Sequence, residues 1–294
     1  MYIAETIADF RSARKNLIGK VGLVPTMGYL HEGHMSLVQA AHEDCDSIIA
    51  SIFVNPTQFA KGEDLETYPR NMPRDLQMLE EVGVDLVFTP TPALMYPYRF
   101  QTWVTVTDVS QGKEGGQREG HFRGVATVVA KLFNITQPDM AYFGQKDAQQ
   151  VVVIRQMAQD LNFPLEIQIC PIVRETDGLA LSSRNVYLNE IERKTATKLS
   201  QALQRAGDLY EHGERDPVKL RQAAYEILNS EPLIAPDYLS LADASTLEEI
   251  TEATDRPLLL SLAAKLGKPR LLDNCLLPLH LNTRAGASAT LGKS

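Results

Sequence analysis

Two passages in which a short apolar run gives way to a polar junction and then to helix-period sequence constrain this chain most. The first is Val21–Leu37. Val21–Val24 suits a buried strand, Pro25 and Gly28 break the extended pattern, and from Met35 the apolar residues Met35, Val38 and Ala41 fall at helical spacing. The second is Met140–Phe143, which runs through Gly144–Gln150 into an apolar-striped helix ending near Leu161. Further strands are expected at Ser47–Val54, Val84–Thr89 and Leu165–Val173, with a half-exposed one at Thr102–Thr107. Helices are expected at Ile7–Leu17, Gly33–Asp44, Pro73–Val82 and Gly124–Ile135, and loops at Lys61–Arg74 and Ser110–Arg123. This alternation predicts an α/β fold, a Rossmann-like doubly wound parallel sheet.

After Asn185 the pattern changes. Long helices at Glu190–His212 and Pro217–Asn229 precede strands at Asp237–Ala242, Leu258–Leu266 and Arg270–Leu277. Helices followed by strands predict a second, smaller α+β domain. The expected division is 1–180 for the sheet domain and 181–281 for the smaller domain, which would close the site, with 282–294 as a Gly/Ala/Ser/Thr-rich disordered tail.

A net charge of −8 argues against a nucleic-acid binder, which usually carries a basic face. No apolar run of about 20 residues offers a membrane span. Met1–Lys15 lacks an apolar signal core. The three cysteines, Cys45, Cys170 and Cys275, are far apart and odd in number, so they read as buried thiols of a reducing cytoplasm.

His31 and His34 lie three apart at a helix start, where unpaired N–H groups and partial positive charge suit phosphate. Three readings compete: a zinc site, a helix start with satisfied polar groups, and a nucleotide site. The spacing and the lack of a third nearby ligand disfavour zinc. Gln58 follows a strand's carboxyl end, where ligands sit in open parallel sheets, and suits a substrate bearing a hydroxyl and a carboxylate. The polar Lys61–Arg74 loop is a candidate flap. At the second junction Lys146 can reach phosphate as a mobile charge, with Gln150 one turn on. Ser182, Ser183 and Arg184 form a phosphate-friendly set.

Six pieces occur in a fixed order: Pro25–His34, Phe53–Phe59, Tyr68–Arg70, His121–Val125, Phe143–Asp147 and Leu181–Asn185. Together they resemble the pantoate–β-alanine ligase family over about residues 1–281, including Asp237–Leu241. The His-x-Gly-His piece alone marks a wider nucleotidyltransferase superfamily. The resemblance implies ligation of pantoate and β-alanine to pantothenate, with ATP consumed to AMP and pyrophosphate through a pantoyl adenylate. It implies ATP against Met27, Gly28, Tyr29, Leu30, His31, Glu32, Gly33 and His34, with His34 as proton donor. It adds Gly144, Gln145, Lys146, Asp147, Val173, Leu181, Ser182, Ser183 and Arg184 to the ATP site. Gln58 and Gln150 would hold pantoate, Gln58 also lying near β-alanine. Mg²⁺ is expected on the phosphates, with Asp147 a candidate ligand. A homodimer is implied. Gln145 departs from the glutamate common in the family. Two rivals remain: a nucleotidyltransferase acting on a phosphate ester, which would need a basic pocket rather than paired glutamines, and a non-catalytic nucleotide-binding regulator.

Overall fold

The computed structural model describes residues 1–291. The chain packs as two compact units, one of Met1–Phe143 with Val153–Cys170, the other of Gly144–Val152 with the residues from Pro171 onward.

In the first unit the strands are β1 (Tyr2–Ala4), β2 (Val21–Thr26), β3 (Ser47–Ile52), β4 (Leu86–Phe88), β5 (Met140–Gly144) and β6 (Glu166–Cys170). They form one sheet in the order β1-β4-β3-β2-β5-β6. The pairs β1–β4, β4–β3, β3–β2 and β2–β5 are all parallel. Every residue of β3 is buried, as are all of β2 but Pro25. That explains their near-continuous apolar runs, because a parallel sheet is covered on both faces. The helices are α1 (Ile7–Arg14), α2 (Glu32–Asp44), α3 (Met72–Glu81), α4 (Pro92–Met95), α5 (Lys113–Gln117), α6 (His121–Thr136) and, from Val153 onward, α7 (Ala148–Asp160), whose first five residues belong to the second unit. Leu30, Met35 and Val38 pack with Ile48, Ile52 and Leu79 in one core cluster that fixes α2 and α3 on the sheet. Each such side chain contributes roughly 1.5–3 kcal/mol on burial. The strand order reverses direction between β2 and β5, the position at which doubly wound sheets bind ligands beyond the strands' carboxyl ends.

The second unit holds α8 (Glu190–Glu211), α9 (Pro217–Asn229), β7 (Ile234–Asp243), β8 (Leu258–Leu266), β9 (Arg270–Leu277) and α10 (Arg284–Thr290). Its sheet is antiparallel, β7-β8-β9. Leu199, Leu203, Leu220 and Leu228 from the helices pack on Leu241, Leu260, Leu262 and Leu277. The α/β class and the smaller α+β region are therefore present.

Several expectations need correction. The division at 180/181 falls elsewhere, since the large sheet ends at Cys170 and Gly144–Val152 groups with the C-terminal residues. Residues 282–294 are not a disordered tail throughout: α10 is capped by Thr283, and Ala287, Thr290 and Leu291 are buried. Residues 292–294 lie outside the described range. Thr102–Thr107 is half-exposed but belongs to no ladder among the described residues; Val104 N–H instead donates to Thr127 Oγ1 at 3.0 Å. The 110–123 segment is not all loop, because α5 lies within it and α6 begins at His121. β1, only three residues long, carried no readable period.

Candidate active site

β2 ends at Thr26, whose hydroxyl donates to Ser51 O (2.8 Å) and accepts from Gly28 N (3.2 Å), tying the following loop to β3. The turn needs two left-handed residues, Gly28 (φ 81°) and Tyr29 (φ 50°). For tyrosine that conformation costs on the order of 1–2 kcal/mol. Asp75, buried near the start of α3, offsets it by accepting Tyr29 N–H at 2.7 Å and Leu30 N–H at 2.8 Å. Its neighbour Arg74 donates to Leu30 O (3.0 Å) and sits 5.7 Å over the Tyr29 ring.

The turn delivers His31 to the N-cap of α2. His31 Nδ1 accepts from Gly33 N (3.1 Å), and His34 Nδ1 accepts from His31 N (3.3 Å). The two imidazoles therefore cap the helix reciprocally, with ring centroids 4.1 Å apart. A nitrogen that accepts a backbone N–H carries no proton. Each ring is held as the Nε2–H tautomer, so Nε2 is the donor edge of both. Two such donors at the positive end of a 13-residue helix suit an anion.

The Asn55–Phe59 turn follows β3. Asn55 is buried, and its amide donates to Gln58 Oε1 (3.0 Å) and Gly124 O (3.2 Å). Its Oδ1 accepts from Thr57 Oγ1 (2.9 Å) and Tyr96 OH (2.8 Å). Gln58 Nε2 in turn lies 3.1 Å from Met27 Sδ, so this unit brings Met27 and Gln58 into contact. His121, the first residue of one motif piece, meets Gln58 O through Nδ1 (2.8 Å) and Arg118 Nη1 through Nε2 (3.1 Å). A carbonyl only accepts and a guanidinium only donates, so this ring is the Nδ1–H tautomer. Arg118 also forks onto Glu63, both bonds 2.7 Å. Burial works against the Glu63 charge, but Arg118 more than compensates and holds the carboxyl below the ordinary glutamate range. The 61–70 segment is thereby tied to the Gln58 turn.

In the second unit Lys146 and Ser182 line one small crevice with Leu179, Ala180, Asn185 and Asp273. Lys146 Nζ is 3.6 Å from Asp147 Oδ1. Ser182 caps the short 3-10 turn Ser183–Tyr187 by accepting Arg184 N–H at 3.3 Å. Val173 O accepts Leu181 N–H at 3.0 Å, beside an antiparallel bridge between Arg174 and Ala180. Gln145 and Ser183 are buried, while Gln150, near the start of α7, is half-buried. Lys146 with Ser182 and Val173 with Leu181 are thus brought together within this unit. Among the described residues no group of three or more His, Cys, Asp or Glu is arranged to hold a metal ion.

The family model for pantoate-beta-alanine ligase matches residues 2–276. The chain belongs to this family. The pantothenate synthetase of Roseiflexus castenholzii is 56% identical over 277 residues, covering 94% of this chain and 99% of the relative. A crystal structure of pantothenate synthetase from Thermus thermophilus superposes with a TM-score of 0.88 at 44% identity, covering 93% of this chain and 98% of that one. A pantoate-beta-alanine ligase from Francisella tularensis, crystallised with beta-gamma ATP and beta-alanine, gives a TM-score of 0.78 at 36% identity, covering 94% and 97%.

For a pantoate–β-alanine ligase, residue-level reading of the sequence missed the supports of the site: Asn55, Asp75, Arg118 and Gly124. Asp75 had a visible signal, since a carboxylate on the buried side of an amphipathic helix demands partners. Asn55 and Gly124 lay inside motif pieces without an assigned task.

Proposed function

We propose that this ligase joins pantoate to β-alanine in two steps, with Met27–His34 and Gln58 serving both substrates of the first. Pantoate's carboxylate oxygen attacks the α-phosphorus of ATP; the bond from that phosphorus to the bridging oxygen breaks, and pyrophosphate leaves with the electron pair. The amine of β-alanine then attacks the acyl carbon, the bond to the adenylate oxygen breaks, and AMP departs as the amine loses a proton to solvent. The observation that carries this reading is the reciprocal imidazole cap. It offers two Nε2–H donors at the start of α2, in the same unit as a buried carboxamide in contact with Met27. The first step needs no protein nucleophile, so the protein's work is positioning and stabilising charge on the leaving phosphates. His34 and His31 donate hydrogen bonds to phosphate oxygens, each worth roughly 3 kcal/mol on the scale of a deleted oxyanion donor.

Tyr29, Leu30, Glu32 and Gly33 line the nucleotide with their backbone. Gly144, Gln145, Lys146, Asp147, Val173, Leu181, Ser182, Ser183 and Arg184 also contact ATP, Lys146 and Arg184 supplying positive charge. Gln58 and Gln150 orient pantoate by its hydroxyls and carboxylate, and Gln58 also meets β-alanine. The Francisella tularensis complex supports ATP and β-alanine as ligands. Mg²⁺ bound with ATP would be held chiefly by phosphate oxygens, with the partly exposed Asp147 carboxylate a suitable further ligand; it would neutralise phosphate charge. The same reading extends to a homodimer in the cytoplasm, with which three free cysteines accord.

The test mixes the chain with ATP, Mg²⁺ and pantoate and follows pyrophosphate with and without β-alanine. A stoichiometric burst that turns into steady AMP and pantothenate on adding β-alanine is expected, with the burst rate falling roughly 100-fold or more in His34→Ala. Absence of pantoate-dependent pyrophosphate from the folded protein overturns the assignment.

A further inference from the structure

Gln145, Lys146 and Asp147 form a single 3-10 turn ahead of α7. The carbonyls of Gln145 and Lys146 belong to the two peptide planes that flank the Lys146 Cα. Both accept from one carboxamide: Asn274 Nδ2, on β9, lies 3.0 Å from Gln145 O and 2.9 Å from Lys146 O. Asn274 is 2% exposed. Holding both planes fixes the Lys146 backbone dihedrals and hence the direction in which its side chain leaves the turn. A lysine has four rotatable side-chain bonds, so the root is the one part the fold can hold rigid.

The orientation of this carboxamide is set by a chain of obligations that begins at the backbone. Asn282 Oδ1 accepts Leu276 N–H (2.8 Å), while its Nδ2 donates to Leu276 O (2.8 Å) and Leu279 O (2.9 Å). Asn282 therefore presents an oxygen to Gln145, and Gln145 Nε2 must face it, at 2.8 Å. The same Nε2 faces Asn274 Oδ1 at 3.2 Å. With its oxygen committed to Gln145, Asn274 turns its nitrogen to the two carbonyls. The backbone at Asn274 is anchored as well. Its N–H donates to Asp273 Oδ1 (2.8 Å), and Asp273, buried, takes a two-pronged bond from Arg174 at 2.7 and 2.8 Å.

We propose that Asn274 is a positioning residue for the adenylation step, acting through Lys146. This rests on the reading of Lys146 as a phosphate contact. Asn274 touches no reacting atom; it aims the ammonium that does. Loss of its two bonds frees the Lys146 root, and a displacement on the scale of 1 Å costs up to about 100-fold in rate.

A double-mutant cycle tests this, using pantoate-dependent ATP–pyrophosphate exchange as readout and Tm as a check of folding. Asn274→Ala in the wild-type background is expected to lower exchange by about 10- to 100-fold. In the Lys146→Ala background the same substitution should change exchange by less than about 2-fold, because its effect runs through the missing ammonium. Asn274→Ser, whose hydroxyl can donate to one of the two carbonyls, should fall between wild type and Asn274→Ala. Equal losses in both backgrounds would show a merely structural role and overturn the proposal. So would failure of both Asn274 variants to fold, since the carboxamide would then serve the fold itself. Wild-type exchange in Lys146→Ala would remove the reading of Lys146 and this proposal with it. Loss in Lys146→Ala with none in Asn274→Ala would sink this proposal alone.

Discussion

Helix α6 closely approaches the turn that carries Gln58, the residue proposed to hold pantoate. A Cβ added to Gly124 would lie 2.4 Å from Thr57 O, 2.6 Å from Thr57 C and 2.8 Å from Gln58 N. The first distance is about 1 Å short of ordinary van der Waals contact. All three atoms are backbone, so no side-chain rotation relieves them. Gly124→Ala must therefore push the turn and the helix apart, or shift the turn along the sheet edge. The Asn55 amide bond to Gly124 O, 3.2 Å, goes with it.

Two stability effects oppose each other in this variant. Overpacking costs roughly 1–3 kcal/mol. Alanine gains about 1 kcal/mol over glycine within a helix. The net loss is about 0–2 kcal/mol, which for a chain of this size lowers Tm by no more than roughly 8 °C. Activity should suffer more, because a 1 Å displacement of a substrate-orienting group can cost about 100-fold. In pantoate-dependent exchange we expect kcat/KM for pantoate to fall by about that factor, while KM for ATP moves by less than about 3-fold. A folded Gly124→Ala variant with kcat/KM for pantoate within about 2-fold of wild type would refute the argument. Gln58→Ala run beside it separates the two ways of failing. If Gln58→Ala is also harmless, Gln58 does not hold pantoate. If it is damaging, the turn tolerates the added methyl.

Two further outcomes follow from the supports of the site. Asp75→Ala orphans the Tyr29 and Leu30 amides, at about 1–3 kcal/mol each, so urea unfolding should show a loss of at least about 2 kcal/mol with a raised KM for ATP; Asp75→Asn, which keeps one acceptor, should lose less, and a loss below about 1 kcal/mol in the alanine variant refutes the account. Glu63 has its folded pKa depressed, so its contribution is fully present above the ordinary glutamate range and is lost as pH falls through the lower folded value; the Tm difference between wild type and Glu63→Gln should therefore be largest near neutral pH and shrink on acidification, and a difference that grows with acid would show the sign to be wrong.

How far the sequence was readable depended on the kind of signal each part carries. β2, α2, β3 and α7 announce themselves because a buried parallel strand is apolar throughout and a surface helix repeats near 3.6 residues. The three-residue β1 has too few positions to show a period, and Thr102–Thr107 shows a strand's alternation without being in a ladder. Alternation reports which face is wet, not whether a neighbour supplies hydrogen bonds. The tail misled through composition: small residues usually mark disorder, yet in α10 Ala287 and Thr290 are buried. The division of the chain was misplaced because Gly144–Val152 looks, in sequence, like the middle of an unbroken strand–loop–helix unit.

The tautomers of the histidines show why the supporting half of a site resists sequence reading. His31, His34 and His121 are the same residue type, and all three stand in recognisable motif pieces. At His31 and His34 a backbone N–H points at Nδ1, which moves the proton to Nε2 and makes that edge a donor. At His121 a backbone carbonyl faces Nδ1 and Arg118 faces Nε2, which fixes the opposite tautomer and spends both nitrogens on protein partners. The same ring thus carries its proton on Nε2 in one place and on Nδ1 in another. That difference is written in the direction of one peptide group beside each ring. Asn55, Asn274 and Asn282 obey the same logic, since each amide's orientation is dictated by a backbone group on one side and so dictates the next polar group on the other. A single reversed asparagine amide in these contacts would set oxygen against oxygen inside the protein at a cost of some kcal/mol. The precision with which Gln58 and the Lys146 turn are held therefore originates in backbone directions that exist only once the strands have paired.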